Sequence, residues 1–261
     1  MKIRIGTSGY SFADWVGPFY PPGIEKGKML DYYQQHFDTV EINSTYYGIP
    51  HPAVFHNMLK KVDDKFDFVV KAHKSLTHSR KDHEEPAKKL SEAVRPLEEA
   101  GKLAGFLLQF PWSFKKTKAN MEYLRETPKH FPSVPLFVEF RHRSWLSEEV
   151  FQLLEKEGLG YVNVDEPQLP GLLPPQNKVV GPIAYARFHG RNKKTWWSGE
   201  GSLRYDYDYS EEQLGEWKEL LMEMAKKAKE ARLYFNNCRL GQAVKAAKMA
   251  LRMYAEGGEI G

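Results

Sequence analysis

Polar residues two positions apart recur where short apolar runs end. The pairs are Glu41 with Asn43, Lys71 with His73, Glu139 with Arg141, and Arg187 with His189. Residues two apart in a β-strand share a face. Burying an unpaired charge costs several kcal/mol. We therefore expect these groups to neutralise one another or a bound ligand, either as an internal ion-pair network or as a functional site.

The residue types in these pairs predict hydrolysis or group transfer at an anionic substrate. Glu139 or Asp165 would activate water, and His189, whose ordinary pKa lies near neutrality, would act as general acid. Arginine side chains hold phosphate or carboxylate groups in a fork of hydrogen bonds. The predicted catalytic residues are Glu41, Glu139, Asp165 and His189. The predicted substrate-binding residues are Asn43, Lys71, His73, Gln109, Arg141, Arg187, Arg191, Trp197, Asn236 and Asn237.

A single divalent metal is an open alternative at this site. Its ligands would be Glu41, Glu139, Asp165 and His189, with Asn236 as an oxygen ligand. The neighbouring cations would compete with a metal for the same space. The sequence contains no Gly-x-Gly-x-x-Gly motif, so no nucleotide cofactor is predicted.

Alternating strand and helix patterns must position these residues. Strands are predicted at Lys2 to Gly6, Thr39 to Asn43, Asp67 to His73, Ala104 to Gln109, Leu136 to Arg141, Gly160 to Asp165, Ile183 to His189 and Arg232 to Asn236. Helices are predicted at Gly27 to Gln35, Pro52 to Lys61, Glu85 to Ala100, Lys118 to His130, Ser147 to Glu157, Ser210 to Glu230 and Gly241 to Ala255.

Eight such units in 261 residues predict an α/β fold, a single TIM-like (β/α)8 barrel spanning 1–261. An open doubly wound sheet is the alternative, because sequence does not reveal closure. The segment Glu166 to Pro182 holds five prolines, so the sixth βα unit is expected to be irregular. In a TIM barrel the functional groups gather at the carboxyl ends of the strands.

Two basic loops follow predicted strands and bear on the partner. Three cations and then Trp196 and Trp197 follow strand seven, and a second basic stretch follows strand three. Aromatic rings stack on bases or sugars. The predicted partner is an anionic small molecule or a nucleic acid, with two solvated loops as the simpler interpretation.

Composition narrows the setting only broadly. The formal net charge of +4 favours anionic partners weakly. The one cysteine, Cys238, excludes an internal disulfide, and we expect no disulfide-linked partner and a cytoplasmic location. No apolar run approaches the roughly 20 residues that cross a bilayer, so no membrane association is expected.

Ten short segments, in order along nearly the whole chain, resemble the YecE-like family, also called domain of unknown function 72. They are Gly6 to Tyr10, Trp15, Phe19 to Pro21, Val40 to Tyr47, Leu108 to Pro111, Val138 to Arg141, Ser144 to Trp145, Asp165 to Pro167, Arg187 to Arg191 and Tyr234 to Asn237. The resemblance implies a TIM barrel and little chemistry, because the family has no established activity.

Three functions stay open from the sequence. The preferred one is an enzyme that hydrolyses a phosphate-containing substrate, including a nucleic acid, at the C-terminal face of the barrel. The second is a carbohydrate-active hydrolase or isomerase that uses two of the carboxylates as acid and base. The third is a protein that binds an anion or nucleic acid without catalysis.

Overall fold

Eight parallel strands form one sheet in the computed structural model, which describes residues 1–81, 83–198 and 201–255. The strands are β1 (Lys2–Thr7), β2 (Thr39–Ile42), β3 (Asp67–Lys71), β4 (Leu103–Gln109), β5 (Leu136–Glu139), β6 (Leu159–Asp165), β7 (Ile183–Phe188) and β8 (Glu230–Phe235). Their order is β1-β8-β7-β6-β5-β4-β3-β2. The sheet curls into a nearly closed barrel, which confirms the predicted fold class. The remaining residues of the predicted 1–261 domain lie outside the described residues.

The barrel closes where β1 meets β2. A single parallel bridge joins Ser8 to Glu41. The buried Tyr33 hydroxyl accepts a hydrogen bond from the Thr7 backbone N–H (2.9 Å) and lies 3.3 Å from the Thr39 carbonyl oxygen, to which it donates. The Tyr33 side chain thus links β1 to β2 where few backbone hydrogen bonds join the two strands.

Helices lie outside the barrel and cover its apolar outer face. They are α1 (Met29–Tyr33), α2 (Pro52–Leu59), α3 (Glu84–Glu99), α4 (Lys118–Glu126), α5 (Glu148–Lys156), α6 (Gly201–Arg204), α7 (Glu211–Ala225) and α8 (Gln242–Ala255). In the described part of the chain, none is long and apolar enough to span a bilayer. The prediction that one helix runs from Ser210 to Glu230 was wrong at its end, because Glu230 already pairs with Lys2 and Ile183 in the sheet.

The sixth βα unit has no helix, as its prolines predict. The chain between Asp165 and Ile183 is irregular throughout. The buried Asn163 side chain organises it: its amide nitrogen donates to the Lys178 carbonyl oxygen (2.8 Å), and its amide oxygen accepts from the Lys178 N–H (3.1 Å). The Asn163 side chain therefore holds the irregular crossover segment against β6.

Alternation along the strands separates two apolar layers. The larger core lies between the strands and the helices. A smaller cluster fills the barrel interior and consists of Val69, Leu107, Phe137, Val162, Tyr185 and Tyr234. Because side chains two positions further along each strand share this inward face, the strand ends direct their polar residues onto the top of the interior cluster.

Gly6 allows the close approach of β1 to β2. A Cβ atom added at Gly6 would lie 2.3 Å from the backbone carbonyl oxygen of Thr39. We expect Gly6→Ala to lower the free energy of unfolding by about 1–3 kcal/mol, because this overpacking meets backbone that cannot rotate away. Urea unfolding followed by circular dichroism measures the loss.

Gly215→Ala is the matched control for this substitution. Gly215 lies inside α7, where an added Cβ meets nothing within 4 Å, so alanine should stabilise by roughly 1 kcal/mol. If Gly6→Ala were as stable as this control, the tight closure between β1 and β2 would be contradicted.

Candidate functional site

A network of buried charges centred on Glu139 forms the floor of the site. Glu139 ends β5 and is fully buried. One carboxylate oxygen accepts from Arg187 Nη1 (2.6 Å), and the other accepts from Arg141 Nε (2.5 Å). Burial alone would raise the pKa of Glu139, but the two guanidinium groups hold it well below its usual range. Glu139 is therefore ionised at neutral pH and both of its oxygens are engaged.

Arg187 links Glu139 to Glu41 across the barrel. Its Nη2 atom donates to Glu41 Oε1 at 2.6 Å and lies 3.3 Å from the Ser8 hydroxyl. The other Glu41 oxygen accepts from the Tyr185 hydroxyl (2.6 Å). Two predicted catalytic carboxylates are thus brought together, as the same-face pairs predict, but each is bound by an arginine.

His189 lies against the same network as a neutral imidazole. Its Nδ1 atom accepts from Asn236 Nδ2 (3.0 Å), which places the ring proton on Nε2, 3.1 Å from Glu139 Oε1. Burial, followed by the Arg141 guanidinium, lowers the pKa of His189 to about 3. This environment does not favour the general-acid role predicted from the sequence, since the ring carries no extra proton at neutral pH.

Glu166 joins the network although sequence reasoning passed over it. Its Oε2 atom lies 3.3 Å from Arg141 Nη1, and its Oε1 atom accepts from the Leu173 N–H (3.0 Å). Burial raises the pKa of Glu166 to about 7, against the lowering effect of Arg141. Alternation places Asp165 and Glu166 on opposite faces, but both faces of β6 carry buried apolar residues, so the sequence does not show which acid faces the barrel interior.

A pocket of about 360 Å³ opens directly above this floor at the carboxyl ends of the strands. Its lining combines cationic side chains with many aromatic ones and, among the described residues, no carboxylate. The lining residues are Tyr46, Tyr47, Lys71, His78, Gln109, Pro111, Trp112, Arg141, Leu172, Trp196, Trp197, Arg204 and Tyr205. Four residues predicted to bind substrate are therefore in it: Lys71, Gln109, Arg141 and Trp197.

Lys71 projects into the pocket from the end of β3. Its ammonium group donates to the Gln109 amide oxygen (2.9 Å) and lies 4.5 Å from the centre of the Tyr46 ring. Burial, followed by the Arg187 guanidinium, lowers the pKa of Lys71 to about 7. Within the described part of the chain, no carboxylate lies within ion-pair distance of its nitrogen.

The loop after β7 supplies an aromatic and cationic wall. Trp196 is buried, whereas Trp197 is about half exposed and meets the edge of Trp112 at 5.7 Å between ring centres. Arg204 donates to the Trp196 carbonyl oxygen (2.8 Å) and places its guanidinium 5.5 Å from the centre of that ring. This cation also has no carboxylate within ion-pair distance in the described ranges.

Asp165 and Arg191 both lie outside the pocket: Asp165 does not meet Glu139, contrary to prediction, and Arg191, a predicted substrate-binding residue, binds Asp165. Asp165 ends β6 but points outward, where it accepts from Tyr209 Oη (2.6 Å) and Trp217 Nε1 (2.6 Å). Arg191 binds both Asp165 oxygens and also Glu216. The prediction failed because the last residue of a strand was taken to face the site, although alternate residues face opposite sides of the sheet.

The remaining predicted residues lie around the pocket rather than in it. His73 lies two residues past the end of β3, and its ring bonds to Ser75 (2.8 Å) and does not line the pocket. Asn43 and Asn236 line a neighbouring depression of about 370 Å³ beside Tyr205. Asn237 is buried and donates to the Tyr207 carbonyl oxygen (2.8 Å), which fixes the loop before α8.

The four proposed metal ligands do not converge. Asp165 points away from the barrel interior, and the oxygens of Glu41 and Glu139 already bind the two arginines. In the ranges 1–81, 83–198 and 201–255, no group of three His, Cys, Asp or Glu side chains is arranged to hold a metal ion. The donor set therefore does not fit the single divalent metal considered from the sequence.

Several residues of the pocket were missed because sequence carries little signal for them. Tyr205 and Trp112 lie on irregular segments and Arg204 ends the short helix α6 in the loop after β7, so no periodicity relates them to the strands. His78 was noticed only as part of a basic loop. Burial and the nearby Lys71 lower the pKa of His78 to about 4, so it lines the pocket as a neutral ring.

Fold and site together define a parallel (β/α)8-barrel protein with a polar pocket at the carboxyl ends of its strands. Residues 4–259 match the family described as "Protein of unknown function DUF72", and the chain belongs to this family. The family resemblance found in the sequence is thereby confirmed.

Three relatives extend over nearly the whole chain. The UPF0759 protein YunF of Bacillus subtilis (strain 168) is 32% identical over 273 residues, which cover 96% of this chain and 94% of YunF. A DUF72 family protein from Thermotoga maritima MSB8 is 41% identical, with a TM-score of 0.91 over 98% of this chain and all (100%) of the other. One from Enterococcus faecalis V583 is 29% identical, with a TM-score of 0.87 over 97% and 95%. None of these names states an activity, so function must be argued from the site.

Proposed function

We propose that this protein binds a small anionic ligand, with a phosphate or carboxylate group and a planar or sugar portion, in the pocket above the charge network. The observation that carries the proposal is a pocket that presents the Arg204 guanidinium and the Lys71 amine and, among the described residues, no carboxylate. Neither group has a carboxylate within ion-pair distance in the described ranges, and the Arg204 guanidinium keeps its charge at neutral pH. A concave surface that presents cations without counter-ions favours an anion.

The aromatic walls support a ligand with a flat face. Tyr46, Trp112 and Trp197 present ring surfaces to the pocket. Such rings stack on bases and pack against sugars. A volume of about 360 Å³ suits a single nucleotide or sugar phosphate.

Hydrolysis, the preferred activity from the sequence, stays a prediction with less support than binding. A carboxylate that activates water must reach a water molecule beside the substrate. Both Glu139 oxygens are engaged by arginines, and Asp165 faces the helices instead of the pocket. The carbohydrate alternative needs two accessible carboxylates and meets the same obstacle. The geometry favours the anion-binding part of these hypotheses.

Removing the Arg204 charge should weaken binding of a phosphorylated ligand. We expect Arg204→Met to raise the Kd for adenosine 5′-monophosphate about tenfold, which corresponds to about 1.4 kcal/mol for one charged contact. Methionine keeps much of the apolar stem against Trp196. Titration followed by tryptophan fluorescence measures the Kd, since three tryptophans line the pocket.

The controls separate charge from stacking. Arg125→Met removes an exposed arginine that pairs with Glu122 on α4 and should leave the Kd unchanged. Uncharged adenosine should bind far more weakly than its monophosphate. Equal affinities for the two would contradict the proposal, and so would no saturable binding of any phosphate ester at low salt.

Nucleic acid is the competing partner from the sequence. A fluorescent single-stranded oligonucleotide tests it by anisotropy over a range of salt concentrations. A steep loss of affinity with salt, from binding much tighter than that of the monophosphate, would replace the small anion with nucleic acid, because each phosphate contact adds to the slope.

A further inference from the structure

The amine of Lys71 differs from the other cations of the site in its surroundings. Its hydrogen-bond acceptor is the neutral amide oxygen of Gln109 at 2.9 Å, and the Tyr46 ring covers one side. Arg141 and Arg187, by contrast, bind the carboxylates directly. Lys71 therefore reaches the pocket from a partly buried position and, within the described ranges, has no carboxylate partner that would fix its charge.

Charged groups at the carboxyl ends of β2, β5 and β7 act on this amine. Arg187 and Arg141 disfavour its protonation, whereas Glu139 and Glu41 favour it, but each of these carboxylates is ion-paired with an arginine. Burial is the largest influence, and the pKa of Lys71 falls to about 7. His78, whose pKa is lowered to about 4, is neutral at this pH, and burial raises the pKa of the nearby Tyr46, which is neutral too. A substantial fraction of Lys71 is therefore uncharged at neutral pH.

An uncharged lysine amine beside an anion-binding group is suited to covalent chemistry with carbonyl compounds. Desolvation and neighbouring cations activate lysine nucleophiles in this way. Arg204 and Arg141 line the same pocket and would hold the anionic end of a ligand within reach of the amine. The carbonyl group of such a ligand would then meet the Lys71 amine, which lines the same pocket.

We propose that Lys71 is a nucleophile that forms an imine with the carbonyl group of an anionic aldehyde or ketone bound in this pocket, an inference that rests on the anion binding proposed above. The amine nitrogen attacks the carbonyl carbon, and the oxygen takes up a proton to give a carbinolamine. Loss of one water then forms the C=N bond. Both hydrogens of that water come, in net balance, from the amine, so no oxidant or reductant is needed.

Pyridoxal 5′-phosphate is a suitable probe, because it carries a phosphate, a flat ring and an aldehyde. Pyridoxine 5′-phosphate is its matched partner, with an alcohol in place of the aldehyde. Each would be titrated against the full chain by tryptophan fluorescence. The aldehyde samples would then be reduced with borohydride and mapped by peptide mass spectrometry. The reductant only traps the imine for detection.

The expected result is a pyridoxyl group on Lys71 as the main modification at pH 7. The trapped yield at Lys71 should rise with a midpoint near pH 7, because the folded-state pKa is lowered to about 7. Exposed lysines should react appreciably only nearer their ordinary pKa of about 10. This profile is measured on the unmodified protein and needs no variant to fold.

Two variants complete the test. At pH 7 the total yield of protein-bound pyridoxyl groups should fall at least about tenfold in Lys71→Met. Lys74→Met removes an exposed lysine three residues later and should match the wild type. If pyridoxine 5′-phosphate binds but pyridoxal 5′-phosphate leaves no trapped adduct on Lys71, the inference is overturned and the proposed function stands. If neither compound binds, both proposals fail.

Discussion

Replacing Glu139 with glutamine is expected to lower the free energy of unfolding by about 3–5 kcal/mol, the range for breaking a buried ion pair on one side. Glu139 accepts from Arg141 and Arg187 and lies beside His189, all buried. Glutamine has nearly the same shape but carries no charge. Two guanidinium groups would then share the charge of Glu41 and the partly ionised Glu166, at a depth where water cannot compensate.

Urea unfolding followed by circular dichroism measures this loss. Glu122→Gln is the control, because that carboxylate pairs with Arg125 at the surface and exposed pairs contribute little. A loss below about 1 kcal/mol for Glu139→Gln would mean that the arginines are neutralised by other groups, and the network described here would be wrong.

The pH dependence of stability independently tests whether ionised Glu139 stabilises the fold. The folded-state pKa of Glu139 is held below its ordinary value, so its stabilisation is present above the ordinary pKa of glutamate. That stabilisation is lost as the pH falls toward the lowered pKa of the folded state. The difference in stability between wild type and Glu139→Gln should therefore be largest at neutral pH and shrink in acid.

The alternation of side chains made much of this floor predictable. Glu139 with Arg141, and Arg187 with His189, do share the inward face and meet in one network. Lys71 also faces inward at the end of β3. These residues were identified from sequence because strand pairing in a parallel barrel repeats the same geometry eight times.

The same reasoning was wrong where the end of a strand was predicted but not the side of the sheet that its last residue faces. On β6 the outward positions are Asn163 and Asp165, and Glu166 is the carboxylate that faces Arg141. A period of two does not choose between the adjacent acids from sequence, because buried apolar residues occupy both faces of β6, with Tyr161 outside and Val162 inside the barrel. His73 differs, because its ring bonds to Ser75 instead of entering the pocket.

The part of the pocket lining that the sequence did not predict comes from the loops. Trp112 and Arg204 come from segments far apart in the chain, and both line the pocket. No local pattern specifies such a convergence, because loop paths depend on tertiary packing. The low pKa of Lys71 is likewise a property of its buried surroundings, which residue type alone does not reveal.

Replacing Asp165 with asparagine has the second large expected effect. The free energy of unfolding should fall by about 3–5 kcal/mol. The Asp165 carboxylate accepts from Tyr209, Trp217 and Arg191, and it is fully buried. An amide retains one acceptor oxygen, and in either orientation its NH2 group faces the Arg191 guanidinium, which cannot accept a hydrogen bond. At least one buried donor is left unpaired, and Arg191 loses a charged partner.

Thermal and urea unfolding of Asp165→Asn, beside titration with adenosine 5′-monophosphate, distinguish a structural role from the catalytic one predicted by sequence. The structure leads us to expect a large drop in stability with an unchanged Kd in the folded fraction, since Asp165 does not line the pocket. Asp208→Asn, which removes an exposed partner of Lys245, should change neither quantity appreciably. A stable Asp165→Asn protein with altered ligand binding would contradict the structural role, because the role argued from its three buried donors requires a loss of stability.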